Sequence, residues 1–382
     1  MSADGTTSNV QRLELHKAIE IAFSDFPLRQ KGITNLSTPY MSGPPGGGKT
    51  QSIRAKCEEL GMGFVARNTG MMRMEELGGI PDFVRKEEEL HTEWSIPELV
   101  CTLREVAKNG PVVCLLDDWH LAPPAIQALG YELFTDYSIK GHAVPRECLF
   151  VLAGNDTPAA GAKTQFSAVM NRVAKMYVET SFEYWRDNYA YPAELFLPIV
   201  SFLEGQENRS HFHGEEDVIN PWASPRAWTN LSFKLQGMME SGMFDTLTDI
   251  EQLITVSSHV GVKAATSFHQ YYKIYSQFDT KTIFDTGRYK IPKDAVDRFA
   301  FTFAMSSEFY NRYKDSDIKC GKVYAKLLKD LESEWPELAM TSVRFVTSID
   351  REKIIEAIVR DKIITMDLLR RLLETSNLIG DN

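Results

Sequence analysis

The chain has 382 residues, 43% hydrophobic and 25% charged, ordinary globular values with length for two or three domains and a large core. Its net charge of −10 gives no overall pull toward nucleic acid, and no apolar run approaches the ~20 residues a membrane helix needs. Five scattered cysteines (Cys57, Cys101, Cys114, Cys148, Cys320), never in a C-x-x-C pair, argue against a disulfide framework or a zinc site. They point to a reducing, cytoplasmic setting.

The opening "MSADGTTSNVQRLELHK" has no basic start followed by an apolar block, so it does not read as a secretory leader. Gln11 to Phe23 has helical apolar spacing. Ser37 to Met41 reads as a short extended run ending at glycines, Thr50 to Leu60 as a helix closed by Gly61, and Gly63 to Arg67 as a strand. Pro97 to Lys108 is amphipathic and stopped by Asn109-Gly110. "PVVCLL" (Pro111 to Leu116) is an unbroken apolar run, the mark of a strand buried on both faces. Pro123 to Tyr137 reads as a helix begun by proline, Ser138 to Pro145 as a hairpin around Gly141, and "CLFVLAGN" (Cys148 to Asn155) as another buried strand. After about Ser181 strand patterns nearly vanish and helical ones dominate, with a polar loop from Glu204 to Trp222. The alternation predicts an α/β core with a central parallel sheet over 1–182. A helical domain over 183–245 and a helical extension over 246–382 follow.

"GPPGGGKT" fits G-x-x-x-x-G-K-[ST] between a strand and a helix, the context a phosphate loop requires. The glycines Gly43, Gly46, Gly47 and Gly48 let backbone N–H groups face phosphates, with Pro44 and Pro45 in the same loop and the helix start and Gln51 behind it. Lys49 supplies a mobile charge, and Thr50 a hydroxyl for Mg²⁺. In "VVCLLDDWH", Asp117 at the tip of a buried strand is placed to hold Mg²⁺, and Asp118 to polarise an attacking water. Asn155 ends the next strand, where an amide can orient water against a γ phosphate. Arg172 precedes a strand-like run. Arg226 follows Ser224, which can cap a helix that Pro225 begins.

These motifs in this order resemble an AAA+ ATPase of the MoxR-like group, in the branch with the AAA_5 type of domain. The residues that carry the likeness are "GPPGGGKT", "CLLDDWHLAPPAIQA", "IKGHAVP", "FVLAGNDTPAAGAK", "VMNRVAKMYVE" and "ASPRAW", spanning about Gln11 to Leu235. The resemblance implies the AAA+ three-layer core with a helical lid. It implies a ring, usually of six copies, with ATP and Mg²⁺ at each interface. It also implies a protein partner to be remodelled, of the kind bearing a von Willebrand factor A domain. By the same likeness Asp118 is the catalytic acid, Asn155 the first sensor, Arg226 the second, and Arg172 a finger reaching into the neighbouring copy's site. The sequence departs from the family's usual Asp-Glu pair. The shorter Asp118 loses roughly a bond length of reach to the water, so slow turnover is expected.

Gly70 to Trp94 and the hairpin near Gly141 face the pore in the resembling family. Met71, Met72, Met74, Phe83 and Trp94 could grip a polypeptide or fill a core. The acids of that stretch outnumber its bases, which disfavours a nucleic-acid motor. A nucleotide-gated scaffold with incidental hydrolysis stays open. A P-loop kinase would leave Asn155, "NRVAK" and "SPRAW" without a common explanation. No Asn-Lys-x-Asp guanine reader is present, so ATP is preferred over GTP. "HFH" (His211 to His213) lacks the acids or cysteines that would close a metal sphere, and reads as a surface loop. Arg351 to Glu374 is strongly amphipathic and is expected to dock on the protein's own helices.

Overall fold

The computed structural model describes residues 11–349 apart from 32, 34–35, 87–88, 157–166, 206, 218 and 315–318. The amphipathic stretch Arg351 to Glu374 lies outside the described residues, as does most of "DTPAAGAK". The chain forms two compact units that divide between Ser181 and Phe182.

The first unit runs β1 (Leu13–Glu14), α1 (Leu15–Phe23), α2 (Phe26–Gln30), β2 (Thr38–Ser42), α3 (Lys49–Glu59), β3 (Gly63–Asn68) and α4 (Met74–Gly78). It continues with β4 (Pro81–Lys86), β5 (Glu89–Trp94), α5 (Glu98–Val106), β6 (Val112–Asp117), α6 (Pro124–Asp136), β7 (Ser138–Ile139) and β8 (His142–Ala143). It closes with β9 (Cys148–Gly154), α7 (Ser167–Met170) and β10 (Val173–Glu179). Six strands make one parallel sheet in the order β1-β10-β2-β9-β6-β3.

The apolar runs of β6 and β9 serve two cores at once, because side chains alternate across a sheet. Val112, Cys114, Leu116, Cys148, Phe150 and Leu152 join one cluster with α5 and α6. Val113, Leu115, Leu149, Val151 and Ala153 join the other, with α1 and α3. Helices therefore cover both faces, and the three-layer α/β core expected from the sequence is the one observed. Leu99, Val100 and Leu103 are the buried stripe of α5, and Ile53 and Cys57 that of α3, each at helical spacing.

Two elements differ from the sequence reading. Leu13 and Glu14 are extended rather than helical, because they pair with Val178 and Glu179 at the edge of the sheet. Gly70 to Trp94 contains α4 and an antiparallel ribbon, β4–β5, which forms a sheet of its own. Phe83 and Leu90 on the ribbon are 67% and 66% exposed, so no half-buried alternation marked these strands. The hairpin β7–β8 turns on Lys140 and Gly141, both with positive φ, the signature of a tight two-residue turn.

The second unit contains α8 (Phe182–Trp185), α9 (Leu197–Glu204), α10 (Pro225–Glu240), α11 (Asp249–Ser276), α12 (Thr280–Thr286), α13 (Ala295–Lys314), α14 (Cys320–Glu334) and α15 (Pro336–Ile349). Its described residues hold no strand, and one hydrophobic cluster runs from Phe182 to Val346. Phe202 sits at an aromatic junction with Trp228, Phe268 and Tyr271, at centroid distances of 5.8, 5.5 and 5.6 Å. Ser224 Oγ accepts the Ala227 N–H at 3.2 Å and so caps α10, with Pro225 in the first turn. Trp185, at the end of α8, is buried and donates from Nε1 to Thr229 Oγ1. His211 stacks on Phe202, and His213 meets the edge of Phe212.

Candidate nucleotide site

The loop between β2 and α3 is fixed at its root by its neighbours. Gly43 N–H donates to Gly154 O at the end of β9, 3.1 Å away, while its other side faces β10. A Cβ at Gly43 would lie 2.3 Å from Val178 O, so only glycine fits between the two strands. Gly46 and Gly48 hold φ of 75° and 81°, the left-handed region that favours glycine. The loop then delivers the chain into α3, whose first N–H groups have no partner within the helix. Thr180 Oγ1 donates to Gly47 O and pins the outer limb.

Lys49 is buried, and its Nζ donates to Gly43 O at 2.8 Å and Pro44 O at 2.9 Å. Asn155 Oδ1 lies 3.5 Å from the same nitrogen. Thr50 Oγ1 donates to Asp117 Oδ2 at 2.6 Å, and Asp117 Oδ1 accepts the Asp118 N–H at 3.0 Å. The parallel register makes this possible: β6 ends beside β3 and β9, so Asp117 arrives level with the start of α3.

Asp118 has φ 53° and ψ 36°, a left-handed conformation. Its Oδ2 accepts from Asn68 Nδ2 at 2.6 Å. The sequence pattern ends the strand at Arg67 and does not point to Asn68. Its signal is positional: the last residue of β3 is in register with Asp117. Asn155 N–H donates to His120 Nδ1 at 3.2 Å, which ties the end of β9 to the turn after the acid pair. Beneath them Tyr40 is buried, and that burial pushes its phenol up to about 12.

Gly43 to Thr50, Asp117, Asp118 and Asn155 therefore converge at the carboxyl ends of the strands. Gln51 sits on the exposed side of α3. Arg172 does not join them. Thr38 N–H donates to Arg172 O, so the arginine stands at the opposite end of β2. Four strand steps separate Thr38 from Ser42, about 13 Å at ~3.3 Å per residue. Its guanidinium is held against α6 instead. Nε donates to Thr135 Oγ1 at 3.0 Å, Nη1 to Ala168 O at 3.1 Å and Nη2 to Tyr131 OH at 2.6 Å. Arg226 belongs to the second unit, where it is exposed in the first turn of α10.

The arrangement pairs an anion cradle with two hard oxygen donors. Backbone N–H groups and a buried ammonium suit phosphate oxygens. A hydroxyl and a carboxylate in contact suit Mg²⁺, which keeps waters and substrate phosphates as its other ligands. The residues present thus fit a magnesium nucleotide. No helix among the described residues is long and apolar enough to cross a membrane.

No family model matches the chain, and no curated protein matches it. Solved structures of RuvB from Thermotoga maritima do match. One point mutant is 14% identical, with 73% of this chain and 77% of that chain covered and a TM-score of 0.36. A second mutant is 12% identical over 72% and 79%, with a TM-score of 0.37. The protein described as the RuvB Holliday junction branch migration motor is 14% identical over 73% and 77%, with a TM-score of 0.30. At these values the likeness assigns neither residues nor activity to this chain.

Proposed function

We propose that the chain binds and hydrolyses Mg·ATP between copies of itself, as a ring-forming AAA+ protein of the MoxR-like type that remodels a protein partner. The observation that carries the reading is the 2.6 Å contact of Thr50 with Asp117 beside the Lys49 ammonium. That contact joins the phosphate loop to the acid at the end of β6. Thr50 and Asp117 would hold Mg²⁺, which neutralises phosphate charge when bound. Asp118 takes the role of the carboxylate that polarises the attacking water, Asn155 that of polar sensor and Arg226 that of second sensor. Arg172 stands about 13 Å along the strand from its own loop, which favours a role toward a neighbouring copy.

A polypeptide substrate is supported by the exposed apolar side chains of the ribbon, with Met71 at 83% exposure nearby. Met72, by contrast, is part of the core. Lys140 at the tip of β7–β8 lies over the Trp94 ring, 4.8 Å from its centroid, so the two hairpins meet. The exposed acids Asp82, Glu89 and Glu93 outnumber Arg85 there, a poor surface for a phosphate backbone.

The test is ATP turnover with light scattering for the parent, Lys49→Ala and Arg172→Ala. Turnover lost in each variant, with assembly retained, is expected. A parent that neither binds adenine nucleotides nor assembles in their presence overturns the reading.

A further inference from the structure

We propose that Tyr131, with Thr135, is the positioning residue that aims the Arg172 guanidinium at the nucleotide bound by a neighbouring copy. This rests on the nucleotide reading above and names the part of the chain that makes the arginine competent.

Tyr131 and Thr135 lie four residues apart on α6 and so share one face. Tyr131 engages the guanidinium twice. Its ring lies under the guanidinium carbon, 4.1 Å from the centroid, and its hydroxyl accepts from Nη2 at 2.6 Å. Thr135 Oγ1 donates to Tyr131 O at 2.8 Å, which leaves its lone pairs toward Arg172 Nε. Ala168 O takes one hydrogen of Nη1.

A guanidinium has five donors. These contacts engage one on Nε and one on each Nη, and leave one N–H on each terminal nitrogen. Each of these can donate to a phosphate oxygen. The ring contact and the three hydrogen bonds together hold the group in place. The rotamer freedom of a long arginine is thereby removed before any anion arrives.

The experiment compares ATP turnover of Tyr131→Phe, Tyr131→Ala and Arg172→Ala, alone and mixed with Lys49→Ala subunits. Tyr131→Phe keeps the ring contact and loses one bond to a charged group, so kcat is expected to fall about tenfold with KM for ATP unchanged. Tyr131→Ala loses both contacts and is expected to approach Arg172→Ala. Because the arginine acts toward the neighbour, Lys49→Ala subunits should restore turnover to Tyr131→Ala, whereas Arg172→Ala subunits should not. Binding of a fluorescent ATP analogue at parental affinity reports an intact fold and phosphate loop.

Parental kcat in both tyrosine variants overturns the proposal. So does a Tyr131→Ala defect that Lys49→Ala subunits fail to rescue while they rescue Arg172→Ala. Loss of analogue binding in Tyr131→Ala, with Tyr131→Phe at parental kcat, makes the tyrosine a folding residue and overturns it too. A parent without Lys49-dependent turnover brings down the nucleotide reading itself, a result separate from any of these.

Discussion

Gly43→Ala tests how the phosphate loop is seated. The added Cβ would meet Val178 O at 2.3 Å, Val178 Cγ2 at 2.8 Å and Val178 C at 3.2 Å. An ordinary carbon–oxygen contact is about 3.3 Å or more, so relief requires a movement of about 1 Å. β10 is poorly able to supply it, because it is paired on both sides, with β1 and with β2, and Val178 is buried. The loop must move instead. Overpacking of this kind costs about 2 kcal/mol, which lowers the Tm of a unit this size by roughly 4–8 °C. A 1 Å displacement of a positioning element costs about 100-fold in rate. Calorimetry gives the first quantity and phosphate release from ATP the second. Gly237→Ala in α10 is the control: no atom lies within 4 Å of its Cβ, and alanine in mid-helix should raise Tm slightly. Parental Tm and parental turnover in Gly43→Ala would show that the crevice between β2 and β10 yields. The steric argument for the glycine would then be wrong.

Ser224→Ala removes the hydroxyl that accepts the Ala227 N–H and should cost the second unit about 1 kcal/mol, read as a lower urea midpoint with unchanged slope. His211 and His269 are each held below the usual imidazole range, first by burial and then by Lys263 and Lys273 respectively. Below about pH 6.5 the unfolded chain therefore takes up protons that the folded one refuses, and stability falls as pH falls through this window. The slope of Tm between pH 7.5 and 5.5 should flatten in a His211→Gln, His269→Gln double variant; an unchanged slope would assign the loss elsewhere. Cys101 is exposed while Cys57, Cys114, Cys148 and Cys320 are buried, with the Cys57 thiol pushed up to about 12 by burial. Ellman's reagent should titrate one thiol in the native protein and five after denaturation. Asp118→Glu restores the missing methylene and should speed ATP turnover; equal rates would count against reach as the limiting factor.

What the sequence made legible was whatever physics writes locally. Three glycines before Lys49-Thr50, the apolar runs of β6 and β9, and the Ser224-Pro225 cap each carry their reason within a few residues. Their expected bounds lie within a residue or so of the observed ones. The contacts that were missed depend on distant partners. Asn68 meets Asp118 across 50 positions, and the Arg172 cradle spans 37 and 41. Leu13 and Glu14 are strand only because β10 offers them an edge. The β4–β5 ribbon escaped for the opposite reason: its apolar side chains face water, so no burial pattern was imposed on them. Asp118 sits between these cases. Its place in the acid pair is plain from the sequence, but its left-handed backbone and its grip by Asn68 are not.

The ribbon has a colloidal consequence. Among the described residues neither β4 nor β5 has a second strand neighbour, so two rows of backbone groups are left without ladder partners. Such margins template stacking between molecules, and Phe83 and Leu90 would reward it. Asp82, Arg85, Glu89 and Glu93 interrupt the margin with charge, and a like ribbon approaching edge-on meets its own excess of acid. The apolar side chains thus leave the ribbon open to other surfaces, while its charged ones oppose polymerisation with itself.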